Sequence, residues 1–312
     1  MKFNEINSIK ALAIIGVLLA HSTFIDRYDS ETIQVLEYFQ ILFGWCVIAF
    51  FYTSGFLYGE YKYEFPYEFI KKRFTRLIIP MIIFSITYKL IIYFLYKFNL
   101  INNKPEYFTN FFNVIKFFIE PIGPQFYFLF YLFLISVFYS IIYLVFKSQL
   151  KNIIISLLCL MVYFFIELPL QGYGSGYNLI PIYIISYLAG IQDRIKFDIK
   201  LYLLILVFTF IYYFRNDNLV IIYLLMPTLM YLFFKYFNVF NKLISIFKLG
   251  EYSSSIYVWH APIVMPISNI IVVNIMGNNL FSLFLTILIT LLVCYLIKFI
   301  INNNNFLRIY KF

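Results

Sequence analysis

Charge is the first thing this chain lacks. Asp, Glu, Lys and Arg make up 12% of its 312 residues and hydrophobic residues 63%, against roughly 25% and 45–50% in a soluble domain. That balance excludes an ordinary water-soluble globule, because a chain of this length could not fold away so much apolar surface. No hydrophilic stretch is long enough for a soluble domain, so one membrane domain over residues 1–312 is expected. Cysteine is nearly as scarce: Cys46, Cys159 and Cys294 fall singly in separate apolar segments. Their isolation argues against disulfides and against metal-ligand spacing, and leaves them as small buried hydrophobes. Histidine is rarest, with two residues in the whole chain, His21 and His260. No acidic side chain lies deep in an apolar segment, and two imidazoles alone are a poor ligand set, so no metal centre is expected.

What is present is a regular alternation of apolar blocks with short polar connectors. This pattern fits helices and lacks the period-two signal of a barrel. Runs long enough to span a bilayer are expected at about 8–26, 36–59, 77–98, 125–147, 152–170, 177–192, 199–214, 219–237, 252–275 and 280–300. The short sixth and seventh are candidates for tilted, broken or re-entrant segments. The first, though short enough to resemble a signal peptide, is read as a retained span. With the N-terminus placed in the cytoplasm, 18 of the 24 Lys and Arg residues fall on the cytoplasmic side, five outside, and Lys89 within the third span. That bias predicts an all-α polytopic bundle of about ten transmembrane helices in the cell membrane, with both termini cytoplasmic. The net charge of +9 is therefore a matter of topology and implies no nucleic acid. The glycine-containing stretch 171–178 follows no strand and reads as an outer turn.

An ionisable group inside a bilayer is costly and is by default a candidate for function, and imidazole titrates where proton transfer is useful. His21 lies eleven positions after Lys10, which places them roughly 16 Å apart on nearly one face of a helix. His260 lies about 12 Å beyond Tyr252 in the ninth span, at a depth comparable with His21. The two rings are thus candidates for one cavity. The plainer alternative is that each makes a single interhelical hydrogen bond. Lys71, Lys72, Arg73 and Arg76 gather before the third span. They suit either a topology anchor touching anionic lipid or a phosphate-bearing ligand presented from the cytoplasm. Lys89 either snorkels or lines a polar cavity. Glu37 and Glu167 stand near outer ends of spans, as interfacial groups or as carboxylates that orient an imidazole. Tyr257 and Trp259 flank His260 and either pack or line a sugar-binding cavity.

Several of these motifs occur together in a known order. Lys10 and His21 match a basic residue, ten intervening residues and a histidine; Phe50 to Phe56 reads as an aromatic-rich segment closing on Ser-Gly-Phe; Arg73-Phe74-Thr75-Arg76 has Pro80 beyond it; Tyr127-Phe128-Leu129 follows; and Leu249-Gly250, Ser253 and Ile256 to His260 end on the second histidine. In these features the chain resembles the bacterial type-three membrane acyltransferases, with Lys10 where Arg is commoner and Tyr127 where Trp is usual. The resemblance implies a membrane-bound O-acyltransferase acting on a hydroxyl of an extracytoplasmic polysaccharide or glycolipid. It implies an acyl-CoA co-substrate, acetyl-CoA in the family's common case, no bound cofactor, and association with proteins of envelope polysaccharide synthesis. It also implies His21 as general base, His260 as a second acid/base or transient acyl carrier, Lys10, Arg73 and Arg76 on the donor, and Tyr257 and Trp259 on the acceptor. No appended hydrolase-like domain is seen, so the membrane domain is expected to complete the transfer or hand the acyl group to another protein. Two rival classes fit the composition: a glycan or lipid-linked sugar exporter, and a structural scaffold of an envelope-polymer complex.

Overall fold

Helix is the only regular secondary structure among the described residues. The computed structural model describes residues 4–22, 28–58, 66–97, 126–146, 180–195, 219–246 and 248–303. The elements are α1 (Asn4–His21), α2 (Ser30–Phe43), α3 (Trp45–Tyr58), α4 (Pro66–Arg73), α5 (Ile79–Lys97), α6 (Tyr127–Phe146), α7 (Ile180–Ile195), α8 (Leu219–Tyr236), α9 (Asn238–Ile246), α10 (Leu249–Trp259), α11 (Met265–Met276) and α12 (Leu280–Asn303). Two π-helical turns interrupt the series, Phe74–Ile78 before α5 and His260–Val264 before α11. Three helical stretches are long and apolar enough to cross a bilayer, Ser30–Tyr58, Tyr67–Ile91 and Leu280–Asn303. The expected spans 152–170 and 199–214, with Cys159, Glu167 and the glycine-containing stretch 171–178, lie outside the described residues.

Four sequence expectations are refined. The second span starts earlier, at Ser30, where the side chain of Asp29 accepts a hydrogen bond from the Thr32 N–H at 2.8 Å and caps the helix. The third is preceded by α4, so its helical run begins at Pro66. The sixth, Ile180–Ile195, is an unbroken helix. The ninth is divided by a π turn at His260. One helix was not anticipated: α9, whose buried Asn241 accepts from Ser8 Oγ of α1 at 2.7 Å and donates to the Phe234 carbonyl of α8 at 2.5 Å.

Both π turns have the same cause. Pro80 and Pro266 each follow one residue behind the end of the turn and have no N–H to return to the carbonyl four residues earlier. The residue before each proline instead bonds five back, Ile79 N–H to the Phe74 carbonyl and Met265 N–H to the His260 carbonyl. Such single turns recur at functional sites, and these two follow Arg73 and begin at His260.

Close helix contacts depend on glycine, as they do where apolar surroundings give no hydrophobic drive to association. A Cβ on Gly55 would lie 1.9 Å from the Tyr187 carbonyl oxygen, and one on Gly190 would lie 2.0 Å from that of Tyr52, so α3 and α7 meet backbone to backbone. Ser186 Oγ adds a bond to the Ile48 carbonyl at 3.0 Å. Helix α1 is central, packing on α2, α3, α8, α9 and α10. Helix α12 turns Phe281, Phe284, Leu288, Leu292, Leu296 and Phe299 outward and buries Ser282, Thr286, Thr290, Cys294 and Lys298 at four-residue spacing. A helix whose apolar stripe faces out and whose polar stripe faces in is suited to hydrocarbon surroundings.

Candidate functional site

Helices α1 and α10 are in contact at two levels. Near their starts, a Cβ on Gly250 would lie 1.9 Å from the Asn7 carbonyl oxygen, so only glycine allows the approach. At their other ends, His21 Nδ1 is 2.8 Å from His260 Nε2, with the rings parallel within 4° and their centroids 5.1 Å apart. Two residues 239 positions apart in sequence therefore meet because two parallel helices are pinned together below them. His260 is fully buried and His21 partly so.

The hydrogen bonds fix which nitrogen is basic. His260 Nδ1 is 3.1 Å from the carbonyl oxygen of Ile256, one turn earlier on the same helix. A carbonyl only accepts, so His260 carries its proton on Nδ1 and presents a lone pair at Nε2. His21 Nδ1–H then donates to that lone pair, which leaves the basic lone pair of His21 on its Nε2. A chain of two imidazoles anchored on a backbone carbonyl thus orients a basic nitrogen at Nε2 of His21, the geometry by which a general base is held in one tautomer. The sequence placed both rings at one depth; the part of Ile256 follows only from the helical register of His260.

The other site residues divide between two places. Tyr257 meets His260 edge-on with centroids 5.6 Å apart and packs on Phe50 and Phe128. Trp259 is turned to α5, where it stands edge-on to Phe84 at 4.6 Å, its indole N–H buried without a hydrogen-bond acceptor among the described residues. The two aromatics thus have different ring neighbours. Lys10 and Arg73 lie toward the opposite end of α1, close enough for their positive charges to interact, with the Arg73 guanidinium also 5.1 Å from the centre of the Phe69 ring. Arg76 is exposed on the π turn that follows Arg73.

Lys89 is fully buried in α5 and does not snorkel, whereas Glu37 is exposed on α2 and orients neither imidazole. The thiols of Cys46 and Cys294 are free and buried. An apolar groove of about 310 Å³, lined by Ala11, Leu12, Ile15, Ile244 and Leu249, lies on the face of α1 turned away from Lys10 and His21, as its positions around the helix require. It is no part of the site.

Sequence reasoning named Tyr127 only as part of a motif and passed over Tyr131 and Tyr183, because among 30 tyrosines no spacing singles them out. A family model described as an acyltransferase domain matches residues 3–299. No curated protein and no solved structure matches the chain.

Proposed function

Since this chain belongs to the membrane acyltransferase family, we propose that it transfers an acyl group, acetyl in the simplest case, from a cytoplasmic acyl-CoA to a hydroxyl of an extracytoplasmic polysaccharide or glycolipid. It does so as a multi-pass protein of the cell membrane with both termini in the cytoplasm. The observation that carries this reading is the oriented pair, His21 Nδ1 bonded to His260 Nε2 at 2.8 Å and His260 held by the Ile256 carbonyl at 3.1 Å.

In this reading His21 Nε2 takes the proton of the acceptor hydroxyl as that oxygen attacks the thioester carbonyl. A C–O bond forms, the tetrahedral intermediate collapses, and the C–S bond breaks. The imidazolium returns its proton to the departing thiolate, so ester and free thiol are the only products. His260 orients the base and shares the positive charge through the hydrogen bond from Nδ1 of His21. Its two nitrogens are both engaged and its ring is fully buried. These features favour a positioning role over that of an acyl-carrying nucleophile. Lys10 and Arg73 bring two like charges together at the bundle's edge, an arrangement that an anion relieves, and phosphates of a coenzyme are such an anion. Tyr257 and Trp259 border the acceptor's approach to the pair.

The test is acyl incorporation into de-esterified envelope glycan by the purified protein in nanodiscs, with radiolabelled acetyl-CoA as donor. His21→Ala should lower turnover by about 10²–10⁴-fold, the usual scale of a general base, while the protein remains folded. Undiminished turnover removes His21 from the chemistry. A wild-type protein that moves glycan across a vesicle membrane and forms no ester is an exporter, and the proposal fails.

A further inference from the structure

Four tyrosines from three helices converge beside the imidazole pair. Tyr127 and Tyr131 come from α6, Tyr183 from α7 and Tyr257 from α10. Ring centroids are 6.1 Å apart for Tyr127 and Tyr131, 6.5 Å for Tyr127 and Tyr183, and 6.4 Å for Tyr131 and Tyr183. The hydroxyl of Tyr127 is close enough to those of Tyr183 and Tyr257 to act on both electrostatically. Tyr257 in turn stands 5.6 Å from the His260 ring. Packing fixes these rings: Tyr183 is stacked on Phe51 at 4.2 Å and within 7° of parallel, and Tyr257 is lodged against Phe128 at 4.9 Å.

A packing role alone would be served by phenylalanine, of which the chain has 40. A buried tyrosine hydroxyl ordinarily finds a hydrogen-bond partner. Tyr183 is fully buried, and the polar group nearest its Oη is the hydroxyl of Tyr127. A buried set of phenol hydroxyls whose nearest polar neighbours are one another, joined through Tyr257 to the His260 ring, offers both donors and acceptors to the polar atoms of a ligand. The chemistry it offers is specific: flat aromatic faces for C–H groups, and neutral hydroxyls that both donate and accept. Four phenols offer no positive charge, so they suit a phosphate badly. They suit a sugar ring well.

From this we infer that Tyr127, Tyr131 and Tyr183, together with Tyr257, form the subsite that receives the pyranose ring of the acceptor and presents its hydroxyl to His21. The inference rests on the acyl-transfer reading and adds to it the residues that choose the acceptor. Tyr183 and Tyr127 are specificity residues here and take no part in bond making.

Tyr183→Phe and Tyr127→Phe each remove one oxygen and keep the ring, so the packing on Phe51 survives. With acetyl-CoA as donor and de-esterified envelope glycan as acceptor, each variant should raise the glycan KM by about three- to tenfold, the scale of one lost neutral hydrogen bond. The acetyl-CoA KM, the kcat at saturating glycan and the thermal midpoint should be unchanged. A glycan KM unchanged in both variants overturns the subsite, as does a rise in the acetyl-CoA KM, which would make this the donor's channel. Loss of thermal midpoint without a change in KM reduces the tyrosines to packing and also overturns it. If the wild-type protein forms no glycan ester, the acyl-transfer reading fails first and this subsite falls with it.

Discussion

The two ends of the α1–α10 pair are built on opposite principles. At the Asn4 end the helices touch through backbone at Gly250 and Asn7, and the functional side chains nearby, Lys10 and Arg73, carry full charges. At the His21 end the contact is made by side chains, and the groups around it are imidazoles and phenols that are neutral at rest. The difference lies in the kind of group each end holds. A permanent charge is tolerable where water or lipid headgroups are within reach and costly in the apolar interior. A base in the interior has to be one that is useful while neutral, which imidazole is. Lys89 in α5 and Lys298 in α12, both buried, stand against a simple rule that charge stays where water is. The comparison teaches that one helix pair keeps its cationic groups and its imidazole and phenol groups at opposite ends.

The most damaging way to test the comparison is to disturb the end that has no chemistry. Gly250→Val would bring a Cβ to within 1.9 Å of the Asn7 carbonyl oxygen, so α1 and α10 must part. Activity should be lost with both His21 and His260 intact, and the thermal midpoint should fall. A variant with wild-type turnover would show that the imidazole pair needs no backbone clamp beneath it. His260→Ala should be milder than His21→Ala. It leaves the base in place and removes the group that orients it, so kcat should fall by less than in His21→Ala. Both KM values should be unchanged. A loss as complete as that of His21→Ala would make His260 a direct participant.

Much of the His21 end was legible in the sequence because helical arithmetic is reliable over long apolar runs. The 11-residue interval put Lys10 and His21 on one face, and the depth of His260 matched that of His21. What the sequence withheld has two physical causes. Periodicity does not report which helices are neighbours, so the meeting of α6, α7 and α10 at Tyr127, Tyr183 and Tyr257 could not be read among so many similar residues. Periodicity also assumes an unbroken helix, and the prolines at 80 and 266 convert one turn of each to π geometry. This second cause puts Arg76 on a π turn where the sequence reading had assumed regular α-helix after Arg73. Gly250 lies between these cases: it was visible as part of a motif, but its reason, the approach of Asn7, is a fact of packing.

The smallest effects are at the charged end, and they separate the two arginines. Arg73 shares its neighbourhood with Lys10, whereas Arg76 is exposed. If that end receives the phosphates of the donor, Arg73→Ala should raise the acetyl-CoA KM by about tenfold, as expected for one charge-assisted hydrogen bond, and leave the glycan KM unchanged. The wild-type donor KM should also rise with salt, since screening weakens an ionic contact that water can reach. Arg76→Ala should change the same KM by less than about twofold, because an exposed charge far from its partner is largely screened. Equal effects of the two substitutions would mean that the π turn does not set Arg76 apart and that both arginines act together on the donor. No effect of either would leave them as anchors of topology, and the division of labour between the two ends would have to rest on Lys10 alone.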